Sequence, residues 1–152
     1  MRTVTLEEHF TTPEFVKATA HLQSGSRSSF VEVVRGKLLD LGEGRIADMD
    51  AAGIDVQVLS LVNNGMDKLE FATATALVRD ANDQLAAAVR KHPGRFAAFA
   101  ALALQDPKAA AVEFERCVCK LGFKGALVHG TTNGVGRQAF FPINDSQNSR
   151  RM

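Results

Sequence analysis

Residues 92–107 (HPGRFAAFAALALQDP) place a helix end, a buried strand and a helix start in direct succession. The His-Pro-Gly tripeptide ends a helix, because proline has no backbone N–H to donate. Residues 95–104 are almost continuously apolar, which is typical of a strand that is buried on both faces. Asp106 and Pro107 suit the N-cap and the first position of a new helix. The stretch therefore predicts one strand with a helix on either side of it in the chain.

The same alternation continues outward in both directions. Strands alternate with helices, which predicts an α/β fold whose parallel strands are joined by right-handed crossovers. Two architectures fit, an open doubly wound sheet and part of a (β/α)8 barrel, and the spacing does not choose between them. No Gly-x-Gly-x-x-Gly motif follows the first strand, so the sequence lacks the usual motif of a doubly wound sheet that binds a dinucleotide. We predict strands over residues 3–10, 54–61, 95–104 and 123–128, helices over 13–20, 43–52, 69–91 and 106–121, and a flexible loop over 22–30.

The composition is that of an ordinary globular protein. Of 152 residues, 45% are hydrophobic and 23% are charged, and 18 basic against 17 acidic residues give a formal net charge of +1. This balance gives no electrostatic reason to expect nucleic acid or an anionic membrane as a partner. No apolar run approaches the roughly 18 residues of a membrane span, and carboxylates interrupt the N-terminus before a signal peptide can form. We expect one domain and a cytoplasmic location.

The two cysteines, Cys117 and Cys119, lie in a predicted helix. Side chains at positions i and i+2 do not share a helix face. A disulfide or a metal-binding pair is therefore not expected, and we predict two inert thiols.

The residues best suited to chemistry stand at the end of the first predicted strand. Glu7 and His9 are two apart, so on a regular strand both point the same way, together with Thr5. Active sites of parallel barrels and doubly wound sheets lie at this carboxyl end, and a carboxylate beside an imidazole is part of a shell for a divalent ion. On this pattern alone, a solvated strand end with a surface histidine is the commoner explanation. Glu8 should point the opposite way, towards the helix layer or solvent.

Other polar residues end or follow later strands at the same edge. His129 follows the fourth strand. It either faces the same open end of the parallel strands (the mouth) as His9, or is a loop histidine with no part in the site. Ser60 and Asn63 end or follow the second strand, where they either point polar groups into the mouth or, as we favour, serve ordinary turn chemistry. We take Asn63 and His129 as candidates for residues near a substrate.

A series of sequence blocks resembles the amidohydrolase-related decarboxylases, a group that includes γ-resorcylate, 2,3-dihydroxybenzoate and aminocarboxymuconate-semialdehyde decarboxylases. The first block is Leu6-Glu7-Glu8-His9-Phe10. The later blocks follow in the order typical of the family, at residues 38–40, 45–55, 58–61, 79–83, 92–96, 100–107 and 121–128. Together the blocks span residues 3–142. They favour the barrel over the open sheet and strengthen the metal interpretation of the first strand.

The resemblance implies the N-terminal half of a metal-dependent (β/α)8 barrel over residues 1–142, with about four parallel strands and intervening helices. It implies a mononuclear zinc or manganese site whose ligands include Glu7 and His9. The metal would hold a small aromatic carboxylic acid by its carboxylate and ortho-hydroxyl, a carboxylic acid group would protonate the ring carbon, and carbon dioxide would leave. The other family ligands, two histidines and an aspartate, lie beyond residue 152, so no catalytic residue is expected within this chain. His129 stands where several relatives have asparagine.

Three functions stay open at this point. The first is a decarboxylase of hydroxylated aromatic acids, the second is hydrolysis of an amide, ester or lactone by the same metal, and the third is a non-catalytic half-barrel fragment. A full barrel needs about 250 residues, and a half barrel leaves two open strand edges. We expect the chain alone to fold poorly, or to pair through these edges as a homo-oligomer or with a full-length relative. Residues 143–152 are polar and aperiodic, and we expect a disordered tail outside the family domain.

Overall fold

Helices separate the successive parallel strands, as the sequence predicts, although an additional helix that was not predicted lies between the first two strands. The structure, a computed structural model, describes residues 1–22, 29–62 and 65–128, together with the backbone of residues 131–132, 135–136 and 139–140. Single 3-10 turns occupy Ala20–Leu22 and Met66–Lys68. The elements are β1 (Val4–Phe10), α1 (Pro13–Thr19), α2 (Ser29–Leu39), α3 (Glu43–Ala51), β2 (Val56–Leu61), α4 (Phe71–Lys91), β3 (Phe96–Ala100), α5 (Pro107–Leu121), β4 (Gly125–Val128), β5 (Thr131–Thr132), β6 (Val135–Gly136) and β7 (Ala139–Phe140).

Five of the strands form one sheet in the order β1-β2-β3-β4-β7. The pairings from β1 to β4 are all parallel, whereas β7 runs antiparallel to β4. A separate antiparallel ribbon joins β5 to β6. The four parallel strands with intervening helices confirm the predicted half barrel, while the short strands after β4 were not predicted.

The register divides the sheet into a helix-facing side and an opposite side. Residues paired across parallel strands lie side by side, and successive residues of a strand alternate between faces. Leu59 of β2 is paired with Ala98 of β3 and is fully buried, which marks the helix-facing side. Ser60 belongs to the opposite side, which lines the interior when such a sheet closes into a barrel. The helix-facing core includes Phe10, Leu61, Phe96, Ala100, Ala126, Val78, Ala81 and Leu85.

A buried arginine holds α3 against the first two strands. Arg45 is 9% exposed, and its guanidinium donates to the carbonyl oxygens of Lys37, Asp40 and His9 at 2.7–2.9 Å. It also donates to Oε1 of Gln57 at 3.2 Å. Burial lowers the pKa of Arg45 below its ordinary value, although a guanidinium stays charged under ordinary conditions. Arg45 thus fixes the position of the His9 backbone.

A second buried network joins α4 and α5 to the end of β3. The side chain of Asn82, which is 0% exposed, accepts from the backbone N–H of Ala101 at 3.0 Å and donates to the Ala101 carbonyl at 3.1 Å. Its amide also donates to Glu113 at 2.9 Å. Arg116 contacts both carboxylate oxygens of Glu113, at 2.7 and 2.8 Å. Burial alone raises the pKa of Glu113, but the hydrogen bonds from Arg116 and Asn82 outweigh it, and the pKa lies below its ordinary value.

The structure corrects the boundaries of two predicted segments. The third strand ends at Ala100 and not at residue 104, because Asn82 takes up both backbone groups of Ala101 that would otherwise extend the ladder. The predicted loop over residues 22–30 is wrong at both ends, since Leu22 belongs to a 3-10 turn and α2, a helix that was not predicted, begins at Ser29. Residues 23–28 lie outside the described residues. No helix in the described part of the chain is long and apolar enough to cross a membrane.

Candidate metal site at the end of the first strand

The first strand contains a bulge that changes which of its side chains share a face. Val4 and Thr5 pair with Val56 and Gln57, but Glu8 pairs with Leu59, so Leu6 and Glu7 together oppose Val58. One extra residue in a strand shifts every later side chain to the other face. The expectation that Thr5 and His9 share a face is therefore wrong. Thr5 and Glu8 both lie on the helix-facing side, as predicted for Glu8, and His9 lies on the opposite side beside Ser60.

The bulge also places Glu7 in an unusual backbone conformation. Glu7 has a φ of 60°, and it is the only non-glycine residue with a positive φ in the described part of the chain. Residues with a Cβ are disfavoured in this left-handed region. Such strain is concentrated at functional sites, and bulges redirect a side chain there. The register sets the Leu6–Glu7 bulge against Val58, which is on the same face as Ser60 and His9. Glu7 is exposed, and its backbone is held in a costly local conformation within this bulge.

His9 is held from two directions by the neighbouring elements. Its ring nitrogen Nδ1 lies 2.9 Å from Oγ of Ser60, its paired residue on β2. Its carbonyl oxygen accepts from Arg45 at 2.9 Å. Both the ring and the backbone of His9 are thus positioned by side chains from other elements, which is typical of a histidine that binds a metal.

His9 and Ser60 lie near the carboxyl ends of parallel strands, where the sequence analysis expects a site. His9 is the next-to-last residue of β1, and Ser60 is the next-to-last residue of β2. The two candidates for substrate contact, Asn63 and His129, lie outside the described residues. Within the described ranges, no group of three or more His, Cys, Asp or Glu side chains is placed to hold a metal. Glu7 and His9 are therefore candidates for part of a ligand shell and not for a complete one.

Sequence reasoning missed the bulge and the role of Arg45. Neither has a local signal, because a bulge is defined by the register with β2 and Arg45 acts across three elements. The sequence did contain a cue to the structural role of Arg45. It is the one basic residue of α3, and it stands beside the apolar stripe formed by Ile46 and Met49, which is an unusual place for an arginine. The prediction for the cysteines is confirmed in part: Cys117 is buried and Cys119 is exposed, with no disulfide. Burial raises the pKa of Cys117 to about 12, so its thiol is inert.

Replacement of Glu7 by glycine should stabilise the fold, because glycine adopts a positive φ without steric cost. We expect Glu7→Gly to raise the free energy of unfolding by about 0.5–1 kcal/mol, the strain relief minus the entropy that glycine adds to the unfolded chain. Urea unfolding followed by circular dichroism measures the change. The matched control is Glu8→Gly, one residue along the strand, which should lose about 1 kcal/mol. Equal losses in the two variants would contradict the strained conformation of Glu7.

Comparison with known proteins agrees with this architecture. A family model described as amidohydrolase matches residues 20–140. Gamma-resorcylate decarboxylase of Rhizobium sp. (strain MTP-10005) is 44% identical over 128 residues, which make up 84% of this chain and 38% of the relative. The crystal structure of 2,6-dihydroxybenzoate decarboxylase in complex with 2,6-dihydroxybenzoate superposes with a TM-score of 0.76 at 42% identity, over 87% of this chain and 40% of that one.

A further solved relative contains a metal. Dihydroxybenzoic acid decarboxylase from Polaromonas sp. JS666, with bound manganese and the inhibitor 2-nitroresorcinol, superposes with a TM-score of 0.76 at 40% identity, over 90% of this chain and 42% of that one. The chain thus spans about two fifths of the length of the relatives it matches. By the family match over residues 20–140 and by these similarities, the chain belongs to the amidohydrolase family and resembles the N-terminal part of its dihydroxybenzoate decarboxylases.

Proposed function

We propose that this chain forms the N-terminal part of a manganese-dependent decarboxylase of hydroxylated aromatic acids, with Glu7 and His9 as metal ligands. The observation that carries the proposal is 44% identity to a γ-resorcylate decarboxylase over 84% of the chain. The substrate class follows from the relatives, one of which holds 2,6-dihydroxybenzoate. Since these relatives are decarboxylases, they favour decarboxylation over the hydrolytic alternative.

The residues present fit a divalent metal. Glu7 offers carboxylate oxygens, which suit manganese, and His9 offers an imidazole nitrogen. The hydrogen bond between Ser60 and Nδ1 of His9 leaves Nε2 as the nitrogen suited to coordination. Manganese is the metal bound in the Polaromonas relative, which favours it over zinc. A metal bound here would act as a Lewis acid towards the carboxylate and hydroxyl oxygens of the substrate.

The described residues of the chain hold and orient these ligands. Arg45 fixes the carbonyl of His9, Ser60 fixes its ring, and Glu7 lies in the bulge two residues before His9 on the same strand. The helix-facing side of the sheet is filled by apolar side chains, so the ligands sit on a rigid support. Asn63 and His129 belong to the proposal as candidate substrate contacts.

Self-association is part of the same proposal. Among the described strands, β1 pairs with β2 alone, and Val4 and Leu6 on this edge strand are 51% and 59% exposed. An open apolar edge strand favours pairing with a second sheet edge. The cytoplasmic location, the domain limit at residue 142 and the disordered tail over 143–152 stay predictions.

A chimera tests the proposed activity. In γ-resorcylate decarboxylase of Rhizobium sp. (strain MTP-10005), the N-terminal segment is replaced by the matching 128 residues of this chain. We expect manganese-dependent release of carbon dioxide from 2,6-dihydroxybenzoate. The same chimera with His9→Ala should lose more than about 100-fold of that rate, because a metal ligand is lost.

The controls separate a folding failure from a functional one. The chimera must elute as the relative does in size-exclusion chromatography and bind manganese before its rate is interpreted. A folded, manganese-loaded chimera that releases no carbon dioxide would overturn the proposed activity. Turnover by the 152-residue chain alone would exclude the non-catalytic fragment.

A further inference from the structure

We propose that Ser60 is a positioning residue that fixes the tautomer of the metal-binding imidazole of His9. This inference rests on the proposed function, because it concerns the proposed ligand. Ser60 does not touch a substrate in this scheme; it acts through His9. The hydroxyl keeps the proton on Nδ1 of His9 and thereby presents the Nε2 lone pair for coordination.

The geometry brings Ser60 and His9 together by backbone register. Ser60 lies directly opposite His9 in the β1–β2 ladder, on the same face of the sheet. Its Oγ is 2.9 Å from Nδ1 of His9, a distance typical of a sound hydrogen bond. Ser60 is 2% exposed, so water does not compete for this contact.

The direction of the hydrogen bond follows from the second contact of the hydroxyl. The Ser60 Oγ–H donates to the carbonyl oxygen of Glu8 at 3.4 Å. A serine hydroxyl has one hydrogen to donate and two lone pairs to accept with. With its hydrogen directed at Glu8, the oxygen accepts from His9, so Nδ1 carries the proton. In a neutral imidazole the other nitrogen, Nε2, then has the lone pair that binds a metal.

The contacts of Ser60 also tie the ring to the strand on either side of it. The Glu8 carbonyl accepts from Ser60, and the next carbonyl, that of His9, accepts from Arg45. The two peptide oxygens next to the His9 Cα are thereby fixed, and so is the ring. If the Ser60 hydroxyl had a purely structural role, it would satisfy the Glu8 carbonyl without controlling the His9 ring. The two roles therefore predict different effects of Ser60→Ala on the tautomer of His9.

Two variants of the full 152-residue chain test the role. In the metal-free protein at pH 8, two-dimensional ¹⁵N–¹H correlation spectra of labelled histidine report the tautomer of each ring, with His9 assigned from its loss in His9→Ala. We expect wild type to show the Nδ1–H tautomer and Ser60→Ala to shift the population towards Nε2–H. Ser60→Thr keeps the hydroxyl and should restore the wild-type spectrum.

Manganese affinity gives the second measurement. By electron paramagnetic resonance titration of the chimera with manganese chloride, the Ser60→Ala chimera should bind manganese about 10–100-fold more weakly than the unsubstituted chimera, the range for loss of such a supporting hydrogen bond. The matched control is Thr19→Val, which removes a buried hydroxyl that donates to the Phe15 carbonyl at 2.8 Å in α1. The control should lose stability without changing the tautomer or the affinity.

The outcomes distinguish this inference from the proposed function. An unchanged His9 tautomer in a folded Ser60→Ala protein would overturn the positioning role. So would a tautomer that shifts equally in Thr19→Val, because the effect would then be structural. If the folded, unsubstituted chimera binds no manganese, the proposed function fails, while the tautomer spectra of the 152-residue chain still decide whether Ser60 controls the ring.

Discussion

Removal of the Asn82 side chain should cost about 3–5 kcal/mol of unfolding free energy, the largest stability effect that we expect from a single polar residue here. Asn82 is fully buried and satisfies the N–H and carbonyl of Ala101 and one oxygen of Glu113. In Asn82→Ala the two backbone groups of Ala101 lose their partner in a dry environment. Each unsatisfied buried group costs roughly 1–3 kcal/mol, and the vacated volume adds to the loss. Urea unfolding followed by circular dichroism measures the difference.

Two further variants show which atoms of Asn82 matter. Asn82→Asp keeps the acceptor for the Ala101 N–H but removes both donors and sets a second carboxylate against Glu113. We expect it to be at least as destabilising as alanine at neutral pH. The matched control is Gln84→Ala on the same helix, which loses one exposed hydrogen bond to Asp80 and should change stability by less than about 0.5 kcal/mol. Equal unfolding free energies for Asn82→Ala and Gln84→Ala would contradict the role assigned to the network.

The parallel strands and all the described α-helices except α2 were predictable because their signals are local. Asp106 caps α5 as expected, accepting from the N–H groups of Lys108 and Ala109 at 2.8 and 3.2 Å. Gly122 ends the same helix with a φ of 76°, which glycine adopts easily. Apolar runs then place β2, β3 and β4, with boundaries that differ by a few residues.

The details of the site were less predictable because they depend on tertiary contacts. Alternation along β1 places Thr5, Glu7 and His9 on one face, but the register with β2 inserts a bulge that separates Thr5 from His9. The position of His9 near the carboxyl end of β1 was predictable from the sequence, whereas Glu7 lies at the middle of the strand, within the bulge. The hydrogen bond from His9 to Ser60 was not, because it depends on which residue of β2 lies opposite His9.

The α4–α5 network shows the same limit. The sequence places Asn82 in the middle of a helix, where a polar residue is either solvated or structural. Only the packing of α4 on α5 and β3 shows that the Asn82 side chain makes the two hydrogen bonds to the Ala101 backbone that a neighbouring strand would otherwise make. That substitution of a side chain for a strand also explains why β3 is shorter than its apolar run.

The loss of His9 or of the Glu7 carboxylate should weaken manganese binding more than any other single change. Coordination needs a lone pair at the imidazole and a negative carboxylate. His9→Ala removes the first, and Glu7→Gln removes the charge of the second while retaining shape. We expect each to lower manganese affinity by more than about tenfold, since even supporting residues of metal sites contribute 10–100-fold. Glu8→Gln, which neutralises the adjacent helix-facing carboxylate, is the matched control and should bind as wild type does.

The most direct test of this account is a manganese titration, followed by electron paramagnetic resonance, of the chimera with γ-resorcylate decarboxylase of Rhizobium sp. (strain MTP-10005), unsubstituted and with each of these three substitutions. Our account predicts that the unsubstituted chimera and its Glu8→Gln variant take up one manganese ion per chain, while the His9→Ala and Glu7→Gln chimeras show strongly weakened uptake. Circular dichroism spectra of all four proteins should agree, so that the loss reflects the site and not the fold. Equal manganese uptake by the unsubstituted, His9→Ala and Glu7→Gln chimeras would contradict the assignment of Glu7 and His9 as the metal ligands.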